Sequence, residues 1–422
     1  MKAVKLFPII LIASSLFLSC AKDEKFENLQ WKGDAQKEIA EKMIRVQEFL
    51  NANKLDGILL TQVRNVYWMT AGLANNQIVL NKDVGAASIL IMKDGKKHLI
   101  CSGSEAGRMM DESLGKLGYE LKMYNWYEAS PVKDVRGEII KQFGKIGSDI
   151  DFPNTINVAG KFKELRYSLT ESELERYREL GKAATEAVVD VCLKIKPGMD
   201  EYEIEAMTSN ALRNRGILPT VLLTAVDERI YKYRHALPGG AKLNKYAMVN
   251  VVAEKWGMPI AVTRFVHFGP LPDELKSKLE KVAVVNAHYQ EATRPGTQVS
   301  EIFDQMKNWY AKVGYEGEWM KHHQGGATGY DDREWVAYPG IKEFVRNNQT
   351  FAWNPTITGT KVEETMVVNE KGFEVVTKTK DWPMIIVDLN GKKYPQPAIM
   401  IRGEKGGKPT KQNDYEIDGN LK

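Results

Sequence analysis

Between Lys245 and Pro270 the chain reads KYAMVNVVAEKWGMPIAVTRFVHFGP, and this stretch constrains the fold more than any other. Two apolar runs, Ala247 to Ala253 and Met258 to Val266, flank Glu254-Lys255-Trp256-Gly257. That pattern predicts a buried β-hairpin with glycine supplying the turn. Asn250 sits inside the first run, and Ala261 sits inside the second, eleven positions later.

At 422 residues, 43% of them hydrophobic, the chain is long enough for two or three compact domains. Lysine and arginine number 59 against 55 aspartate and glutamate, a net charge of +4 with no basic blocks, so no long-range field for nucleic acid is implied. Lys2 and Lys5 precede an apolar stretch, Leu6 to Leu18, which is short for a bilayer span but suits a signal-peptide core. It ends in Phe17-Leu18-Ser19-Cys20, which resembles a bacterial lipoprotein cleavage box; the alternative is a plain signal peptide with a chance cysteine. With the box, Cys20 becomes the lipidated first residue, and the mature chain is extracytoplasmic and held to a bacterial membrane by acyl chains. Lys22-Asp23-Glu24-Lys25 resembles the surface-export signals of some Gram-negative lipoproteins, which implies the outer-membrane surface. The remaining cysteines, Cys101 and Cys192, are far apart and imply buried thiols with no disulfide framework.

Taken in order, residues 1–20 are the leader, 21–33 a polar tether, 34–165 an α/β domain, 166–402 a second domain, and 403–422 a Gly-, Lys-, Asn- and Asp-rich tail expected to fray. The spacing of Ile39, Met43, Ile44, Val46 and Leu50 predicts an amphipathic helix, followed by a strand at Gly57 to Leu60. Ala87 to Met92 and His98 to Cys101, joined through Asp94-Gly95, predict a hairpin. Thr170 and Glu173 form a capping box that opens a long helix, stopped by Lys196-Pro197-Gly198. A repeat then appears: Pro197-Gly198, four residues, Glu203-Ile204, and again Pro295-Gly296, four residues, Glu301-Ile302. One duplication suggests two related halves closing on a shared centre, not a solenoid.

The hairpin, the repeat and the segment Asn65-Val66-Tyr67-Trp68-Met69-Thr70-Ala71-Gly72 together resemble the pita-bread metallopeptidase superfamily of creatinase, Xaa-Pro aminopeptidase and prolidase. The resemblance spans residues 36 to 377 and implies a creatinase-like N-terminal α/β domain followed by a duplicated pita-bread domain, an α/β (α+β) fold. It also implies a homodimer. In that family the hairpin carries two aspartates that bridge two metal ions, and they fall here on Asn250 and Ala261. The histidine ligand falls on Gly326 of His322-His323-Gln324-Gly325-Gly326, and the two glutamates fall on Asn354 and Glu363. Two divalent cations need several carboxylates, and only Glu363 survives, so neither a metal pair nor any other cofactor is expected.

Other parts of the family's site remain. His235, within Tyr231-Lys232-Tyr233-Arg234-His235-Ala236-Leu237-Pro238, matches the substrate-side histidine, which in creatinase looks like the general acid/base. His322 matches a histidine that faces substrate, and Arg333 matches the creatinase arginine that clamps a carboxylate, a task to which a guanidinium fork is suited. A structural salt bridge from Arg333 to Glu334 or Asp332 is the alternative. The carboxylates that hold a guanidinium in creatinase fall on Thr263 and Asn354, so creatine is a poor substrate. Tyr330-Asp331-Asp332 reads as a solvated turn, and Trp256, Trp335 and Trp353 as aromatics that frame a pocket or pack the core.

The expected function is metal-free hydrolysis of a carbon–nitrogen bond in a small carboxylate-bearing molecule or short peptide. His235, His322 and Glu363 would be catalytic, with Arg333, Asn250, Asn354, Tyr231 and Thr263 binding substrate. Two alternatives stand beside it: a surface lipoprotein that binds a ligand and catalyses nothing, and an Xaa-Pro-type aminopeptidase whose metal is recruited by Asp331, Asp332, His322 and Glu363.

Overall fold

The computed structural model describes residues 28–80, 82–130 and 134–421; the leader, Cys20 and most of the tether lie outside them. The amphipathic helix forms at Ala35–Asn53, with the Asp34 side chain capping its first turn. It packs against a mixed six-stranded sheet in the order Glu120–Tyr124, Lys97–Ser102, Val84–Met92, Gly57–Gln62, Ile146–Ser148 and Thr155–Asn157. The expected hairpin pairs Ile89 with Leu99, and the central strand Gly57–Gln62 is buried on both faces. Among the described residues no helix is long and apolar enough to cross a membrane.

The second domain is built twice. A long helix, Glu171–Lys194, turns at Gly198 into a shorter one, Glu201–Arg213, and then runs into a four-stranded sheet of Leu218–Val226, Tyr246–Lys255, Met258–Phe268 and Met400–Arg402. A second long helix, Asp273–Ala292, turns at Gly296 into Val299–Lys312 and a five-stranded sheet that includes Gly325–Thr328, Gln349–Trp353 and Glu364–Asn369. Both repeat glycines have positive φ, +94° and +90°, where a side chain would be strained. The capping boxes of Thr170 and Asp200 are both closed, each holding the glutamate three residues on.

The hairpin has the predicted form. Lys255 pairs with Met258 around a two-residue turn at Trp256 and Gly257, both with positive φ, and the register places Asn250 opposite Thr263 and Val252 opposite Ala261. A Cβ at Gly257 would lie 2.5 Å from the Tyr67 Cβ, so the turn glycine also lets the hairpin tip close onto the N-terminal domain.

Two segments read as loose are folded. In the tail, Tyr415–Asp418 runs parallel to Met384–Leu389, with Lys276 lying over the Tyr415 ring at 5.2 Å. Tyr415 and Ile417 alternate with acidic residues, so a polar composition still offers one half-buried face to the sheet. At the other end the Trp31 indole donates to the Ala71 carbonyl at 2.9 Å and receives the Arg176 guanidinium on its ring, so residues 28–33 dock against the body.

Charges with no access to water tie the domains together. Lys42 contacts Glu38 and Glu173, each at 2.6 Å; Arg176 grips Glu38 through two bonds of 2.9 Å; the Tyr330 hydroxyl donates to Glu173 at 2.6 Å. All four charged side chains are 0% exposed. Tyr330 therefore belongs to this buried network, not to a solvated turn.

Candidate functional site

Glu363 is the centre of the site. It sits just before the strand Glu364–Asn369, and the Thr263 backbone N–H donates to its carbonyl, which brings it against the hairpin. Its Oε2 accepts from Asn250 Nδ2 at 2.5 Å and Thr263 Oγ1 at 2.8 Å, and pairs with Lys361 Nζ at 2.8 Å. Its Oε1 faces Arg333 Nη2 at 3.4 Å. Burial pushes this carboxyl up, but Lys361 and Arg333 pull harder, and the group is held at about 2. The structure brings Asn250, Thr263 and Arg333 together around Glu363, and Lys361 is the member that sequence reasoning missed.

A second cluster stands beside the first. His235 Nε2 and His322 Nε2 lie 2.8 Å apart with their rings edge to face, and His323 stacks on His322 with centroids 4.3 Å apart. Burial, then the Lys361 charge, pushes His235 down and takes His322 to about 2; burial, then Arg333, takes His323 to about 4. All three imidazoles are therefore uncharged at neutral pH, with lone pairs free to take a proton or a cation. His323 adjoined the residue that was singled out but was not itself weighed.

Other expected members are placed elsewhere or are left without a partner. Arg333 does not bridge to Glu334: Glu334 is paired with Arg166 at 2.5 Å, and Arg333 Nη1 donates to the Asp332 backbone carbonyl. Among the described residues Arg333 Nε and Asn354 Oδ1 have no hydrogen-bond partner, although both are buried. Tyr231 is not brought to the cluster; its ring lies against Gly359 and near Tyr246. Trp353 stacks on Tyr289 and donates to Thr293, Trp335 packs on Phe351, and Trp256 forms the hairpin turn, so these aromatics are packing and not a frame for the site.

The residues do not fit a dinuclear metal centre. A Cβ at Gly326 would lie 2.1 Å from the Trp335 carbonyl oxygen, so the backbone leaves no room there for any side chain, least of all a histidine. Ala261 is bracketed through its own backbone by the Thr365 hydroxyl, and the surviving carboxylate already carries Lys361 and Arg333. Asp331 is paired with Arg64, and it does not converge with His322 and Glu363. Gly326→Ala is expected to lose about 1–3 kcal/mol of stability through overpacking, as measured by urea unfolding. An unchanged midpoint would show that the strand can yield and that the ligand position remains open.

Residues 42–179 match the model of the creatinase/prolidase N-terminal domain, and residues 175–370 match that of metallopeptidase family M24. The Xaa-Pro dipeptidase of Pyrococcus horikoshii is 23% identical over 365 residues, covering 81% of this chain and 97% of that protein. An uncharacterised peptidase of Staphylococcus haemolyticus is 22% identical over 354 residues, 80% of this chain and 98% of that one. Among solved structures, the prolidase of Pyrococcus horikoshii superposes with a TM-score of 0.68 at 20% identity, over 81% of this chain and 99% of that one. The N-terminal domain of FACT complex subunit SPT16 from Cicer arietinum superposes at 0.56 and 11% identity, over 82% and 96%. With two family models end to end, the duplicated fold beneath them and the hairpin at its centre, this chain belongs to the creatinase/Xaa-Pro peptidase superfamily.

Proposed function

We propose that the chain hydrolyses a carbon–nitrogen bond in a short, carboxylate-ended peptide of the Xaa-Pro type. The observation that carries this reading is the pair of adjoining clusters: uncharged imidazoles from His235, His322 and His323 beside the cations Lys361 and Arg333. Arg333 Nε, a buried donor without a partner, suits a substrate carboxylate. Water is activated at the histidines, because the Glu363 carboxylate is engaged by four neighbours and held far below neutrality. Lys361 and Arg333 offset the negative charge that develops on the carbonyl oxygen. The relatives named Xaa-Pro dipeptidase, matched over about four-fifths of this chain, favour a dipeptide over creatine-like substrates.

The test is release of proline from a panel of Xaa-Pro dipeptides, alongside other small carboxylate-bearing amides. His235→Ala and His322→Ala are each expected to lower kcat/KM by about a hundredfold or more, and Arg333→Ala to raise KM. Turnover unaffected by the histidine substitutions would sink the reading. A binding protein without turnover is the second reading, favoured by the internal saturation of Glu363. It requires calorimetric binding of the same peptides that depends on Arg333, with no hydrolysis of any of them.

A further inference from the structure

We infer that His235, His322 and His323 form a site for one transition-metal ion of the zinc class, distinct from the Glu363 cluster. Among the described residues this is the only group of three or more His, Cys, Asp or Glu side chains whose donor atoms all lie within 4.8 Å of one another. A tetrahedral ion with bonds of about 2.0–2.1 Å to imidazole nitrogens spaces them about 3.4 Å apart. The Nε2 atoms of His235 and His322 are closer than this at 2.8 Å, and the donor atoms of all three residues lie within 4.8 Å of one another, so small ring rotations suffice to close the site. His235 and His323 are exposed and free to make them, while His322 is the partly buried anchor.

A second observation points the same way. Among the described residues His322 Nδ1 is buried with no hydrogen-bond partner, and its Nε2 faces the His235 Nε2 at 2.8 Å. Three nitrogens and no carboxylate select a borderline ion such as zinc over magnesium or calcium. Three ligands from the protein also leave a fourth position open to water, the arrangement of catalytic zinc and not of structural zinc. The nearby charges, Lys361, Arg333 and Glu363, sum to +1 and weaken the ion's hold without abolishing it, since the two cations are engaged by the carboxylate.

The role of the ion, lowering the pKa of the water that attacks the amide carbon, rests on the hydrolase reading. Its existence does not, and the experiment is run without substrate. The full chain is stripped with chelator, then titrated with Zn2+ by calorimetry and with Co2+ by visible absorption. One ion per chain is expected, with the intense bands of tetrahedral cobalt. His235→Ala and His323→Ala, both at exposed positions, are each expected to weaken binding by at least about tenfold. No binding, two ions per chain, or one ion held equally well by both variants would each overturn the assignment. If zinc binds as expected and no peptide is cleaved, the hydrolase reading fails while the site stands.

Discussion

Replacing Lys42 with methionine is expected to remove about 3–5 kcal/mol from the unfolding free energy, measured by urea denaturation. Among the described residues Lys42 is the only cation that pairs with Glu173, and both side chains are fully buried. Glu38 keeps its two bonds to Arg176 in the variant, so the loss falls on Glu173, which is left with Thr170 and Tyr330 as neutral partners. Burial by itself pushes the Glu173 carboxyl up; Lys42 and the hydrogen bonds around it bring it below its ordinary value. The double variant Lys42→Met with Glu173→Gln is therefore expected to recover part of the loss, because the stranded charge has gone. If the single and double variants unfold at the same urea concentration, the network holds no net electrostatic energy and only packing joins the domains.

Much of this architecture was legible in the sequence because local and global signals agree. The hairpin is written in two apolar runs and a Trp-Gly turn, the long helix in a capping box, and the duplication in paired Pro-Gly and Glu-Ile steps, each of which turned out to mark the same helix–turn–helix unit. The pairing of Asn250 with Thr263 follows from the hairpin's register, whereas only the family resemblance put Glu363 in the same site, and their contact with it is tertiary. The buried network was not legible. Glu38 and Lys42 have the i,i+4 spacing that a solvated helix face shows, and Glu173 has the place of a capping-box residue, so none of the three signals a buried cluster.

The misses at the site have the same origin. Lys361 stands two residues before Glu363, and in an extended segment positions i and i+2 share a face, so the pairing had a signal in the alternation of the chain. A lysine beside glutamates is more often a solvated charge, and that reading conceals the contact. His323 follows His322 directly, where an extended chain would send the two rings apart; the bend before Gly325 stacks them instead, and only tertiary structure brings His235 to the same place. The tail's polar composition conceals its strand, although Tyr415 and Ile417 carry the period of a half-buried one.

Lys361→Met is expected to have the largest effect at the site itself, and its pH dependence distinguishes an ionic role from a packing one. In the folded protein Glu363 lies at about 2, below its ordinary 4.5, so its ion pair contributes stability that is fully present above pH 4.5 and is lost as pH falls toward 2. A depression of that size corresponds to about 3 kcal/mol. Without Lys361, burial pushes the carboxyl up, with Arg333, 3.4 Å away, as the one remaining cation paired with it among the described residues. The stability gap between wild type and variant is therefore expected to be widest near pH 7 and to close progressively below pH 4.5, as Glu363 protonates in the variant before it does in the wild type. If the proposed hydrolysis is the activity, it falls about a hundredfold in this variant, because that reading places Lys361 at the developing oxyanion. A gap equally wide at pH 3 and pH 7 would mean that Lys361 fills space and does not neutralise Glu363.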